Sequence, residues 1–237
     1  MTRREDAHAL HGKTAIVTGG SRGIGFATAR AFLEEGARVA ICARNPSRLK
    51  EAVARLGAGR RLLGRAADVS DPAQVRAFVE EATSVLGPLH VLVNNAGIAY
   101  VGPFVNEPAE SISAVVDVNL KGVLYMTRAV LPSMIARGEG VIINVSSGAG
   151  LAGFPEIVSY CATKFGVVGF SEALDREVRG SGLRIHALCP GAVATDMQAQ
   201  YSGAKVGMPP EEVARRIVEL ATTKRRATPR RCVVTIG

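Results

Sequence analysis

Aromatic side chains are scarce in this sequence: there is no tryptophan, and aromatics of all kinds make up 5% of the 237 residues. Long apolar runs are missing too. None approaches the ~20 residues that a membrane-spanning helix needs, and the opening stretch MTRREDAHALHGK has no apolar centre, so it does not read as a secretory signal. Cysteine is limited to Cys42, Cys161, Cys189 and Cys232, with no pair spaced as CxxC. That excludes the usual zinc spacing, and the expectation is buried free thiols in a reducing cytoplasm. The four histidines do not cluster with acids or cysteines, so no metal site is expected. Acidic residues are the scarcer sign, 21 against 29 basic, for a net charge of +8. An excess of this kind suits an anionic ligand or nucleic acid. The basic residues, however, are mostly arginines scattered over helix-like stretches such as SRLKEAVARLGAGRRLLGR, and the C-terminal run KRRATPRR has no aromatic partners. Neither a nucleic-acid partner nor a membrane partner is expected.

What is present is an ordinary soluble composition, 47% hydrophobic and 21% charged, with 26 glycines. Strand-length apolar runs at 14–20, 37–43, 61–69, 89–97, 140–147, 183–191 and 231–236 alternate with helix-period segments at 23–35, 46–56, 71–87, 110–137, 159–180 and 210–221. Continuously apolar strands separated by helices predict an α/β fold: a doubly wound parallel sheet of seven strands with helices on both faces. No linker, repeat or low-complexity tract divides the chain. Residues 1–237 therefore read as one domain, with 1–11 a short leader and 192–208 a loop. Ligands of such folds bind at the carboxyl ends of the strands.

TGGSRGIG at 18–25 follows the first strand and opens the first helix. Gly19 lets the chain turn, Gly23 admits a phosphate close to the backbone, and Gly25 lets helix and strand pack tightly. The helix N-terminus then offers N–H groups and a positive dipole end to a pyrophosphate. Further along come DV (68–69), NNAG (94–97), VNLKG (118–122), NVSS (144–147), YCATK (160–164) and PG (190–191). In that order and over nearly the whole chain these motifs resemble the short-chain dehydrogenase/reductase family. The resemblance implies a Rossmann-type fold, a nicotinamide dinucleotide and hydride transfer between a carbonyl and an alcohol.

Tyr160 and Lys164 stand four apart, so on a helix they share a face. A polar surface face is the plain alternative for that spacing. In the family reading Tyr160 is the general acid/base: a free phenol has a pKa of ~10, and a nearby cation lowers it. The resemblance has Lys164 also hold the nicotinamide ribose. It gives Ser147 the task of polarising the substrate oxygen, in preference to Ser146, since alternation along a strand turns the two opposite ways. Asn119 falls within a helical stretch where it is a poor helix former, and the family reading is an interrupted helix that holds a water relaying protons to Lys164. By the same resemblance the cofactor contacts are Gly19, Ser21, Arg22, Gly23, Ile24, Gly25, Arg44, Asp68, Val69, Asn95, Ala96, Gly97, Tyr160, Lys164, Pro190, Gly191, Val193 and Thr195, with Asn94 also beside the adenosine ribose and nicotinamide side. Apolar substrate-pocket candidates are Ile98, Ala149, Phe154 and Ile157, with the loop 192–208.

The second strand ends in Ala43 followed by Arg44, where relatives that prefer NAD carry an acid. With Arg22 as a second cation, the expected cofactor is NADP(H) rather than NAD(H). The resemblance extends to 3-oxoacyl-acyl-carrier-protein reductases. An acidic carrier would need cations such as Arg137 and Arg179, but Ser181 stands where another arginine is expected. The substrate is therefore a small-molecule or acyl-chain carbonyl. A general alcohol or ketone dehydrogenase and a carrier-dependent reductase both stay open, alongside a catalytically silent nucleotide-binding regulator. The resemblance further implies a cytoplasmic homotetramer or dimer built on the helices at 110–137 and 159–180.

Overall fold

A computed structural model describes residues 8–223 and 232–237. The leader residues 1–7 and the basic run 224–231 lie outside the described residues. Seven strands form one parallel sheet: β1 (Thr14–Thr18), β2 (Arg38–Ala43), β3 (Leu62–Ala66), β4 (Val91–Asn94), β5 (Gly140–Val145), β6 (Leu183–Pro190) and β7 (Val233–Ile236). Their spatial order is β3-β2-β1-β4-β5-β6-β7, every pairing parallel. This is the Rossmann-type doubly wound sheet. The order reverses between β1 and β4, and a crevice opens at the carboxyl ends of strands on either side of such a switch point.

The central strands are buried on both faces because both carry helices, which is why they read as unbroken apolar runs. α1 (Gly23–Glu34), α2 (Pro46–Leu56) and α8 (Pro210–Thr222) cover one face, where Phe32, Ile41 and Ile217 lie in a common apolar core. α3 (Pro72–Leu86), α5 (Gly122–Arg137) and α6 (Val158–Glu177) cover the other, around Phe78, Met126 and Ile142. Sequence signals place the helix starts as observed. Asn45 accepts from the Arg48 N–H ahead of α2, and Asp71 accepts from Ala73 and Gln74 ahead of α3, each followed by proline. Residues 8–11 are not a free leader: Leu10 is buried, and its N–H donates to the Glu35 carbonyl at 3.1 Å.

One element departs from the sequence reading and two are sharpened by the structure. β3 occupies Leu62–Ala66 within 61–69 and is only partly buried, because it is an edge strand, its Arg65 paired with Glu81 of α3. The helical stretch 110–137 is interrupted at Asn119, as the family resemblance implies: α4 (Ala109–Val116) passes through a π-helical turn (Asp117–Lys121) before α5 begins. The segment 192–208 is not all loop, since α7 (Asp196–Ser202) lies within it, capped by Thr195. Among the described residues no helix is long and apolar enough to cross a membrane, and no group of three or more His, Cys, Asp or Glu could hold a metal ion. All four cysteines are free thiols, three of them buried.

Candidate active site

The glycine loop is built by contacts that tolerate no side chain. Gly19 has φ 67°, and a Cβ there would stand 2.9 Å from the Ala96 Cα; a Cβ on Gly25 would overlap the Gly19 carbonyl. The sequence reading omitted Thr18, yet its hydroxyl fixes the loop. Its Oγ1 accepts from the Asn95 and Ala96 N–H groups at 3.0 Å each, while Asn95 Nδ2 donates back to the Thr18 carbonyl at 2.9 Å. The end of β1 and the exit of β4 are thereby stitched together at the switch point. Asn94 does not join them. Its side chain turns into the core, with Nδ2 donating to Asn144 Oδ1 at 2.8 Å and to Thr127 Oγ1 at 3.1 Å. The expectation for Asn94 is corrected: strand alternation sends it inward and leaves Asn95, Ala96 and Gly97 on the cavity wall.

Across the cleft, β5 ends at Val145 and the two serines part as alternation requires. The buried Ser146 donates to the Lys164 carbonyl at 3.0 Å, while the Ser147 hydroxyl accepts from the Ala149 N–H at 3.1 Å and hydrogen-bonds the Tyr160 phenol. Tyr160 and Lys164 share one face of α6, with the ammonium 5.4 Å from the phenol ring centroid. Lys164 is almost fully buried and donates to the Val145 carbonyl at 2.8 Å. Burial holds its pKa down at about 8. The phenol runs against the sequence expectation. In the protein alone its pKa is pushed up to about 12, because burial outweighs the Ser147 hydrogen bond and Lys164 contributes no resolved lowering.

Asn119 sits in the π-helical turn, fully buried. Its Oδ1 accepts from the Ile98 N–H at 2.9 Å, and its Nδ2 donates to the Ile98 carbonyl at 2.8 Å and to Thr163 Oγ1 at 3.2 Å. An amide that pairs with both backbone groups of a loop residue acts as a third strand partner, and the wider π turn gives it the reach. Asn119 thus joins the β4 exit to α6 one residue from Lys164, and its hydrogen bonds go to Ile98 and Thr163, not to the ammonium.

A single cavity of about 700 Å³ runs from the glycine loop to Tyr160. Its wall includes every cofactor candidate named above apart from Gly25, which packs behind the loop, and Asn94; the pocket candidates Ile98, Ala149, Phe154 and Ile157 also border it. The volume lies within the range of cofactor and ligand pockets, and the side-chain-free cradle at Gly19, Gly23 and Gly25 fits a pyrophosphate held on the N-terminus of α1. At the β2 end stand Ala43 and Arg44, with Arg48 beyond them, a cation absent from the sequence reading although its place in the first turn of α2 could have flagged it. Arg22 is not turned solely toward that end. Its Nη1 donates to Asp196 Oδ2 at 2.9 Å, and Lys205 reaches Asp196 Oδ1 at 2.6 Å. Asp68 is half-buried and accepts from the Ser70 N–H and hydroxyl, which makes it also the turn residue that ends β3.

The short chain dehydrogenase family model matches residues 13–205. The chain is 37% identical to Oxidoreductase UcpA of Escherichia coli over 221 residues, 93% of this chain and 84% of the relative. It is also 37% identical to the 3-oxoacyl-acyl-carrier-protein reductase FabG of Chlamydia trachomatis over 227 residues, 90% of this chain and 91% of the relative. Among solved structures it is similar to levodione reductase, with a TM-score of 0.85 at 31% identity and 96% of each chain covered. It is similar as well to a metagenomic short-chain oxidoreductase in complex with NADP, with a TM-score of 0.84 at 32% identity, covering 96% of this chain and 98% of that one. Glycine cradle, strand-end serine and helical Tyr-Lys pair around one cavity thus occur on a chain whose length and sequence match these oxidoreductases, and the protein belongs to the short-chain dehydrogenase/reductase family.

Proposed function

We propose that this oxidoreductase interconverts a carbonyl and a secondary alcohol with NADP(H), using Tyr160 as the general acid/base. The observation that carries the proposal is one continuous cavity with the glycine cradle and Arg44 at one end and the Tyr160–Ser147–Lys164 group at the other. NADPH, when bound, supplies the hydride. In reduction the substrate oxygen gains negative charge, and a phenol hydrogen-bonded to it delivers the proton. The Ser147 hydroxyl, which accepts from the Ala149 N–H, redirects its one proton from the phenol to the same substrate oxygen. Lys164, fixed against the Val145 carbonyl, keeps a positive charge beside the phenol and offers further N–H donors to a ribose. Asn119 orients this corner by holding the Ile98 backbone.

The preference for NADP(H) rests on Arg44 and Arg48 beside Ala43, with no carboxylate ending β2. Exposed apolar side chains, Val158 and Phe165 on α6 and Ile135 on α5, support self-association through those helices, and the free thiols suit a reducing cytoplasm. Steady-state kinetics on a panel of ketones and alcohols with NADPH, NADH and their oxidised forms tests the proposal. Reduction of a ketone with NADPH at least ~10-fold more efficient than with NADH is the expected result. Absence of turnover across the panel by protein that binds the dinucleotide would reject it.

A further inference from the structure

The far end of the cavity says what kind of carbonyl enters. Its wall there is Val101, Ala149, Phe154, Ile157, Met197 and Tyr201, supplied by the β4 exit, the 148–157 segment and α7. Gln198 is a polar exception among the α7 side chains on this wall. Phe154 and Tyr201 are 42% and 36% exposed, so the apolar lining continues out to the surface; Leu151 in the same segment as Phe154, and Val206 shortly after α7, are also exposed. Exposed apolar side chains gathered about a cleft mark a binding surface.

The charges bordering the cavity are distributed unevenly. Arg30, Arg44, Arg48, Arg55, Asp68 and Glu211 belong to the cofactor end, on α1, α2, α8 and the ends of β2 and β3. Near the substrate end, beyond Lys164, stand Asp196 and Lys205. Asp196 gives one carboxylate oxygen to Lys205 and the other to Arg22 of the glycine loop, so the cations next to α7 are both bound to a carboxylate and the buried Lys164 is the remaining cation at this end. Glu156, exposed on the 148–157 rim and held at φ 62°, adds negative charge there. Arg137 and Arg179, the cations considered for an acidic carrier, end α5 and follow α6. They precede β5 and β6, so in this chain they lie at the amino ends of the strands, opposite the cleft mouth.

We infer that the substrate is an uncharged, largely apolar ketone, taken free in solution, and not a carboxylate, a phosphate or a thioester on an acidic carrier. The inference rests on the oxidoreductase reading above. An apolar wall desolvates a ring or alkyl chain favourably, whereas an anion entering it loses its hydration and meets no cation beyond the buried Lys164, which is committed to the Val145 carbonyl and the reacting corner. Phe154 and Tyr201 are the side chains that set specificity, and Asp196 acts at a distance by occupying Arg22 and Lys205.

The experiment compares kcat/KM with NADPH for 1-tetralone and 4-methylcyclohexanone against acetoacetyl-CoA, for the wild type, Phe154→Ala and Asp196→Asn. Calorimetric titration of 1-tetralone and of NADPH into each protein accompanies it. The wild type is expected to favour the better ketone over acetoacetyl-CoA by at least ~10-fold. Phe154→Ala is expected to raise KM for that ketone ~5-fold or more and weaken its calorimetric affinity, with kcat and NADPH affinity within ~2-fold. Asp196→Asn, which releases both cations, is expected to narrow the gap between ketone and thioester by ~3-fold or more. A wild type that prefers acetoacetyl-CoA, or a Phe154→Ala protein with unchanged ketone KM and affinity, overturns the inference and leaves the oxidoreductase reading standing. A protein that binds NADPH in the calorimeter yet turns over none of the three compounds overturns the inference, and one that also fails across the ketone and alcohol panel overturns the oxidoreductase reading with it.

Discussion

The two ends of the cleft are built on different principles. At the glycine loop the backbone does the work: Thr18, Asn95 and the glycines lock β1 to β4, and a single added methyl group would collide with main chain. At the Tyr160 end and beyond, side chains do the work. A buried ammonium and a half-buried phenol sit beside apolar residues of the 148–157 segment and α7, and Gly153, next to the wall residue Phe154, has nothing within 4 Å of where its Cβ would be. Backbone recognition suits a ligand whose phosphates are constant. Side-chain recognition leaves the other half free to change with the substrate, which is why a fold can keep its cofactor and vary its chemistry.

The contrast is broken most severely at the phenol. Tyr160→Phe removes the proton donor and leaves the glycine cradle untouched. The expected outcome is a fall in kcat of between ~10² and ~10⁴-fold, with dinucleotide affinity by titration within ~2-fold. Near-wild-type turnover of a confirmed substrate would mean that the proton comes from elsewhere.

Lys164→Met separates stability from function. At neutral pH the ammonium is charged inside the protein at a cost, since burial depresses its pKa from 10.5 to about 8. That shift corresponds to a penalty on the order of 3 kcal/mol, partly offset by the bond to Val145, whose carbonyl the methionine leaves without this partner. The sign follows from linkage. Stability associated with a depressed pKa is complete above 10.5 and is lost as pH falls toward about 8. Lys164→Met is therefore expected to raise the unfolding free energy of the unloaded protein at pH 7 by roughly 1–2 kcal/mol, read as a higher denaturant midpoint, with the gain shrinking between pH 8 and 10.5. Cofactor affinity and turnover are expected to fall together. An unchanged affinity would remove the ribose role while sparing the role beside the phenol.

A paired substitution tests the backbone half directly. Gly25→Ala forces a Cβ into the Gly19 carbonyl and within 2.5 Å of Asn95 Nδ2, whereas Gly153→Ala meets open space. Strain of ~1–3 kcal/mol at Gly25 is expected to weaken NADPH and NADH binding alike by ~10-fold or more. Gly153→Ala should alter neither by more than ~2-fold. If the two variants bind the dinucleotide equally well, the loop is not held by backbone contact.

The same division explains what could be read from sequence. The βα alternation, the glycine spacing and the Tyr160–Lys164 interval are local patterns imposed by the period of a strand or helix and by one turn at a strand end, and they fix the sheet and both poles of the cleft. What escaped depends on pairing across the chain. Asp196 meets Arg22 over 174 positions, which no local pattern announces. The resemblance implies an interruption at Asn119 but not that its partner is the Ile98 backbone, and Asn94 turns inward because Asn144 and Thr127 wait there. The direction of the Tyr160 shift was misjudged because Coulomb attraction to Lys164 can be guessed from spacing, whereas burial of both groups cannot.

The smallest expected effect concerns which dinucleotide the backbone half accepts. The glycine cradle is indifferent to the 2′-phosphate, so discrimination falls to side chains at the end of β2. Ala43 offers no carboxylate to accept bonds from a 2′-hydroxyl or to repel a phosphate, and Arg44 and Arg48 border the cavity beside it. Arg22 contributes less than its place in the loop suggests, because Asp196 holds its Nη1 at 2.9 Å. A charge-assisted hydrogen bond to phosphate contributes roughly 1.5–3 kcal/mol, and less for an exposed side chain such as Arg44. Arg44→Ala is therefore expected to lower the NADPH-over-NADH ratio of kcat/KM by ~5–10-fold while leaving NADH use within ~2-fold. Measurement of both cofactors at fixed salt, repeated at high salt, checks it, because screening should shrink the wild-type preference and the effect of the mutation together. A wild type that prefers NADH, or a variant that loses both cofactors equally, would show that this arginine holds the loop or the adenine and does not read the phosphate.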